Sequence, residues 1–299
     1  MVSSLLNPVF VGGTGRSGST IVGELLDHHP GITLTRPMEV RFITGNNGIA
    51  DALAKAGKPA GYKAAELAVE RIRDRWFYRA ENVGLHTSMS EEFVTQATSA
   101  YLGHFENDPQ QSTRELVYSI MEKVASGCNA QRWCDTTPAN VRKAHLIAPI
   151  YPDYKVIEVV RDGRDVAASF VHQDFGPSDV FEALSQWEQR TIKSEEAIKK
   201  CEPGVVLRLE LQDLVVTARD QSLKVILEHC ELEDSAEMRD WFNAHVTAEG
   251  AHAGRWRRDF GESTCEAIDE VYAESCERLR QLGIAIPATG DEIKGNEVL

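Results

Sequence analysis

The turn Gly12-Gly13-Thr14-Gly15-Arg16-Ser17-Gly18 constrains this chain more than any other segment. Before it, Asn7 to Val11 reads as a buried strand; after it, Ile21, Leu25 and Leu26 recur at helical spacing until Pro30. A strand, a glycine-rich turn and a helix make an anion-binding device. The first amides of the helix have no intrahelical acceptor, and the helix dipole adds positive potential. Glycine lets the backbone come close to a phosphate and take positive φ. Against the pattern G-x-x-x-x-G-K-S/T, Gly13, Gly18 and Thr20 match, but Ser19 stands where the lysine belongs and the cation comes earlier, as Arg16. A nucleoside triphosphatase uses that lysine on its β- and γ-phosphates. The displaced cation therefore suits a donor with a single 5'-phosphate bridge.

The rest of the chain alternates strands and helices. Ile32–Thr35, Lys155–Val160 and Val205–Leu211 read as strands; Val166–Val171 opens a helix, and Leu223–Leu227 and Ile268–Leu282 read as amphipathic helices. The alternation predicts an α/β fold, a central parallel sheet flanked by helices, P-loop-like at its first turn. From about 51 to 124 the pattern is mostly helical, an insertion expected over the ligand site. Without a Pro/Gly/Ser linker to divide it, 1–299 reads as one domain with a polar tail from about 286 to 299.

A second basic element follows the strand at 155–160. Arg161 ends that strand, Asp162 or Asp165 caps the next helix, and Ser169 lies on its second turn. The carboxyl edge of a parallel sheet is where open α/β folds bind ligands, and guanidinium grips phosphate bidentately. The competing reading is a solvated Arg-Asp run.

Together the two elements resemble the sulfotransferases that use 3'-phosphoadenosine-5'-phosphosulfate (PAPS), closest in flavour to the bacterial and tyrosylprotein enzymes. Gly15-Arg16-Ser17-Gly18-Ser19-Thr20 matches the family's 5'-phosphosulfate loop, and Val160 through Ser169 its 3'-phosphate element. Asp135-Thr136-Thr137-Pro138 and Gly254-Arg255-Trp256-Arg257 fit two further segments more loosely. The resemblance implies that Arg16, Ser17, Gly18, Ser19 and Thr20 hold the 5'-phosphosulfate, that Arg161 and Ser169 hold the 3'-phosphate, and that Arg255 closes over the nucleotide. It implies Glu39 as the general base, with Arg16 sharing the catalytic work by stabilising developing charge. Two positions depart from the family: Thr136 replaces a lysine, for which Arg36, Arg41 and Lys143 are candidate substitutes, and Leu211 replaces a tyrosine. Glu39 is also placed to pair with Arg36 or Arg41. His28, His29 and His172 read as structural, and Trp76-Phe77-Tyr78 as either core or acceptor wall.

The implied reaction is in-line transfer of a sulfuryl group from PAPS to a hydroxyl or amine of a small-molecule acceptor, releasing PAP and using no metal. The alternative is a P-loop small-molecule kinase using ATP and magnesium; a third reading is a nucleotide-binding protein without catalysis. A net charge of −14 disfavours nucleic acid and anionic membranes as partners. Six cysteines without a C-x-x-C pair fit free thiols in a reducing compartment, and neither a long apolar run nor a leader pattern is present, so a cytoplasmic protein is expected. Acceptor identity and oligomeric state are not encoded in any motif.

Overall fold

The structure is a computed structural model and describes residues 7–36, 38–125 and 131–287. Five strands form one all-parallel sheet in the order β2-β3-β1-β4-β5: β1 Val9–Gly13, β2 Ile32–Leu34, β3 Arg132–Asp135, β4 Lys155–Val160 and β5 Val206–Glu210. The α/β expectation holds. After β1 the chain builds one side of the sheet through β2 and β3, then crosses to build the other through β4 and β5. That makes β1 the switch point, and ligands bind outside the carboxyl ends of strands at such a point.

Alternation along β1 sorts the core. Phe10 faces one side and packs with Trp133, Tyr151 and Tyr154, where their rings meet at centroid distances of 5.3, 6.1 and 6.4 Å. The helices that cover this face come from the long excursion between β2 and β3: α2 Ile49–Leu53, α3 Gly61–Glu70, α4 Glu91–Phe105 and α5 Pro109–Val124. Ser90 and Asp108 cap α4 and α5, each accepting a backbone N–H from the first turn. Val9 and Val11 face the other side, against Val22, Leu25 and Leu26 of α1 Ser19–Asp27, together with α8 Arg219–Cys230 and α9 Ala236–His245. A third apolar cluster joins α6 Gly163–Phe170, α7 Val180–Ile198, α10 Trp256–Asp259 and α11 Glu262–Gln281 around Trp187, Trp256 and Tyr272.

Two local features aim side chains toward the carboxyl edge of the sheet. Residues Arg71–Trp76 continue α3 as a π-helical turn, with Phe77 N–H donating to the Ile72 carbonyl at 2.8 Å. Wide turns of this kind recur at functional positions. A 3-10 segment, Pro138–Leu146, leaves β3 and lies against β1, where Gly12 is needed: a Cβ there would stand 3.0 Å from Val141 and 3.1 Å from the Pro138 carbonyl oxygen. Among the described residues no helix is long and apolar enough to cross a membrane. Cys128 lies outside the described residues; the other five cysteines are free thiols.

Candidate active site

A cavity of about 530 Å³ opens at the carboxyl edge of β1 and β4. Arg16, Gly18, Ser19, Thr20, Glu39, Arg161, Ser169 and Arg255 all line it. The two basic elements, 145 residues apart in sequence, meet directly. Arg16 Nε donates to Ser169 Oγ at 3.0 Å, and Arg161 Nη1 donates to the Arg16 carbonyl at 3.2 Å.

The turn after β1 explains Arg16's position. Gly15 (φ 85°) and Gly18 (φ 101°) are left-handed, and so is Arg16 itself (φ 58°). A side chain in that region costs roughly 1–2 kcal/mol. Glu39 (φ 60°) and His252 (φ 52°) are strained in the same way, and both line this cavity. Backbone strain of this kind clusters at sites where side-chain placement matters. Gly18 also admits Leu211, since a Cβ at Gly18 would lie 2.8 Å from Leu211 Cδ1. Ser17 differs from its neighbours: its hydroxyl is fully buried beside Gly13, has no hydrogen-bond partner and does not face the cavity. Its backbone is buried with it, so Ser17 supports the turn from behind the cavity wall.

On the second element, Asp162 is the residue that caps α6, accepting from Arg164 N–H at 2.9 Å. Asp165 has another task. It pairs with Arg161 at 3.4 Å and accepts from the backbone N–H groups of Gly254 at 2.9 Å and Trp256 at 3.3 Å. Burial pulls the Arg161 guanidinium below its ordinary pKa, and Asp165 opposes that shift. Arg161 Nη2 also donates to the His252 carbonyl at 2.9 Å. The segment that brings Arg255 into the cavity is thus tied to α6. Arg255 itself pairs with Asp259 at 2.9 Å.

Glu39 sits on a loop that β3 holds in place. Asp135, fully buried at the end of β3, accepts from Val40 N–H at 2.7 Å, Thr137 N–H at 3.1 Å and Asn140 Nδ2 at 2.9 Å. Burial raises its pKa, and these three donors work against the rise. The Glu39 carboxylate pairs with Arg41, whose Nε donates to it at 2.7 Å. Of the two pairings open to Glu39 in the sequence, the one with Arg41 forms.

Thr136 is buried against α1, where any Cβ at Gly23 would overlap the Thr136 methyl, and it does not face the cavity. Two of the three candidate substitutes for a lysine there are engaged elsewhere. Arg36 pairs with Asp27 at 2.6 Å, and Lys143 pairs with Asp51 at 2.6 Å; neither lines the cavity, whereas Arg41 does. Four cations that no motif flagged line it as well: Arg71, Arg75, Arg142 and Arg190. Arg142, from the 3-10 segment, donates to the Gly13 carbonyl at 3.0 Å, and Arg190, from α7, donates to the Thr14 carbonyl at 2.8 Å. Burial, then the Arg190 charge, pulls Arg142 down to about 10. The histidines stay structural in their contacts: His28 stacks on Trp241, His29 bonds the Glu233 carbonyl, and His172 pairs with Asp259. Trp76 lines the cavity, but Phe77 packs against the core and Tyr78 lies at the surface against His86. Among the described residues no group of three His, Cys, Asp or Glu side chains could hold a metal ion.

Residues 8–236 match the sulfotransferase family. The chain belongs to that family. No curated protein sequence matches it. Among solved structures it is similar to the sulfotransferase domain from the curacin biosynthetic pathway, at 15% identity over 95% of this chain and 99% of that one, with a TM-score of 0.54. It is also similar to the sulfotransferase domain of the olefin synthase of Synechococcus PCC 7002, at 18% identity over 94% and 97% of the two chains, with a TM-score of 0.51. Sulfotransferase STF9 from Mycobacterium avium gives 16% identity, 95% and 79% coverage and a TM-score of 0.52. At these identities the likeness is one of fold. The sulfotransferase thus has its basic elements, its strained loop glutamate and four unannounced arginines around one cavity.

Proposed function

We propose that this sulfotransferase takes its sulfuryl group from PAPS and places it on a hydroxyl or amine of a small acceptor, releasing PAP. The observation that carries the reading is the contact between Arg16 and Ser169, which puts the phosphosulfate-type turn and the phosphate-type helix on one cavity. The turn amides, Arg16, Ser19 and Thr20 serve the 5' end of the donor. Arg161 and Ser169 serve the 3'-phosphate, and Arg255 reaches the nucleotide from the far wall.

In the transfer, the acceptor oxygen or nitrogen forms a bond to sulfur while the bond from sulfur to the 5'-phosphate oxygen breaks. The acceptor proton passes to Glu39, and PAP leaves with the bonding pair. Negative charge grows on the bridging and sulfuryl oxygens, where fixed donors act most strongly in a site shielded from water. Arg16, Arg142 and Arg190 surround the turn and set positive charge against it.

The reading is tested first by binding. PAP at 100 times its Kd should stabilise the protein by about 2.7 kcal/mol and raise its Tm without any metal. A response confined to ATP with magnesium would replace it with the kinase reading. Glu39→Gln then tests the base: PAP binding should persist while turnover falls about 10²-fold or more. An unchanged rate removes Glu39 from the reaction.

A further inference from the structure

The cavity is far more basic than the protein around it. Among the described residues, eight arginines line it beside a single carboxylate, that of Glu39, in a chain of net charge −14. The sheet-edge arginines accompany the nucleotide elements: Arg16 and Arg161 converge on Ser169 and the His252 carbonyl, and Arg142 and Arg190 bond carbonyls of the turn itself. Arg71 and Arg75 belong elsewhere. They rise from the π-helical turn of the insertion, with Trp76 beside them, and that turn stands on the Glu39 side of the cavity: the charges of Arg41 and Glu39 both act on Arg79, a few residues along the same segment. Ser88, further along the insertion, ties to the Arg36 carbonyl at 3.2 Å, next to the same loop.

These two arginines are not consumed by the fold. Arg73, on the other side of the turn, is: it bonds Thr98, Ser99 and the Thr95 carbonyl of α4. Arg71 Nε is buried with no hydrogen-bond partner, and neither Arg71 nor Arg75 has an ion pair among the described residues. Arg75 lies over the Trp76 ring at 5.4 Å, which orients its guanidinium without neutralising it. A buried donor left unsatisfied is costly unless a ligand satisfies it, and guanidinium is suited to planar or tetrahedral oxyanions.

We propose that the acceptor is an organic oxyanion, its carboxylate or phosphoryl-type group held by Arg71 and Arg75 and its body against Trp76, so that its hydroxyl or amine reaches Glu39. This deepens the functional reading above and rests on it. The insertion then selects acceptors by charge, while the sheet edge holds the donor.

Calorimetry on protein saturated with PAP tests it with three phenols of one shape: 4-hydroxyphenylacetate, 4-hydroxybenzylphosphonate and the neutral 4-hydroxyphenylacetamide. PAP fills the nucleotide positions of the sheet-edge half but leaves the sulfuryl position open, so the two arginine variants below decide which place an anion takes. At least one anion should bind about 10-fold or more tighter than the amide, the difference expected when a charge-assisted contact is added. Which of the two wins identifies carboxylate or phosphoryl recognition. In Arg71→Gln and in Arg75→Gln the preference should shrink to within about 3-fold, with PAP affinity unchanged. Equal binding of anion and amide, binding of neither anion, or an anion preference intact in both variants overturns the proposal. If PAP itself does not bind, the donor assignment falls separately; the same series on nucleotide-free protein and on the two variants then decides the arginine pair by the same criteria.

Discussion

Arg142 carries its charge into a place that offers it one carbonyl, that of Gly13, and a second cation nearby in Arg190. In the folded protein this is an unfavourable arrangement, and its pKa falls for that reason. The sign is informative. The unfolded chain holds this proton more tightly than the folded one, so the group costs stability at neutral pH, and the cost fades as pH rises above about 10. The negative charge of a bound donor would offset that cost, in keeping with the proposed reaction. Replacing it with an uncharged side chain of similar shape should therefore separate stability from function. Arg142→Met is expected to leave Tm unchanged or raise it while turnover with PAPS falls on the order of 10²-fold. A variant that loses stability and keeps its rate would make Arg142 a structural residue. Of the six non-glycine residues with left-handed backbone among the described residues, Arg16, Glu39 and His252 line this cavity, and Asn7, Asn47 and Glu231 lie outside it.

Among the elements, β3 does more than its four residues suggest. It ends in Asp135, which fastens the Glu39 loop through Val40 and the start of the 3-10 segment through Thr137 and Asn140. Asp135→Ala would orphan three buried donors. It is expected to cost about 3 kcal/mol or more of stability in chemical denaturation and to lower turnover more than PAP affinity, because the Glu39 loop is released while Arg161 and Ser169 stay. Equal losses in both would place Asp135's role in the nucleotide half. Sequence patterns revealed some elements well and hid others for physical reasons. β4 is an apolar-rich run broken by Glu158 and was legible end to end; β1 was legible but begins two residues later, at Val9. β3 was not legible, because Arg132-Trp-Cys-Asp is short and flanked by charge, and strand pairing on both sides makes up for what its propensity lacks. α7 escaped because its buried stripe passes from Ala183, Leu184 and Trp187 to Thr191 and Ser194, polar residues that break an apolar period while still fitting a close helix contact. Arg142 and Arg190 went unseen with them. Arg142 lies four residues past the loosely matching Asp135–Pro138 segment and Arg190 on a helix without a motif, and only the packing of both against the end of β1 gives them a shared address. The glycine turn and the Arg161–Ser169 element were readable because each is a short contiguous run whose residues line the cavity together.

For the molecule as a whole, a strongly positive cavity in an acidic envelope sets up opposing fields. The long-range charge of −14 repels an anionic donor, while the mouth attracts it at short range. Salt screens exposed charges over about 8 Å at physiological ionic strength and weakens contacts with a polyanion. The KM for PAPS is therefore expected to rise several-fold between roughly 50 and 500 mM salt, with turnover at saturation changing less. A flat KM in steady-state assays would mean that the arginines are neutralised before the donor arrives. The latch made by Asp165 bears on how much of the chain a working unit requires. The stretch matching the family stops at residue 236, yet Gly254 and Trp256 hang from α6 through one carboxylate, and the wall carrying His252 and Arg255 hangs with them. Cutting the chain at 236 would spare every strand, yet it would strip α9 from one face of the sheet and α10 and α11 from the third apolar cluster, and would leave the cavity open along one flank.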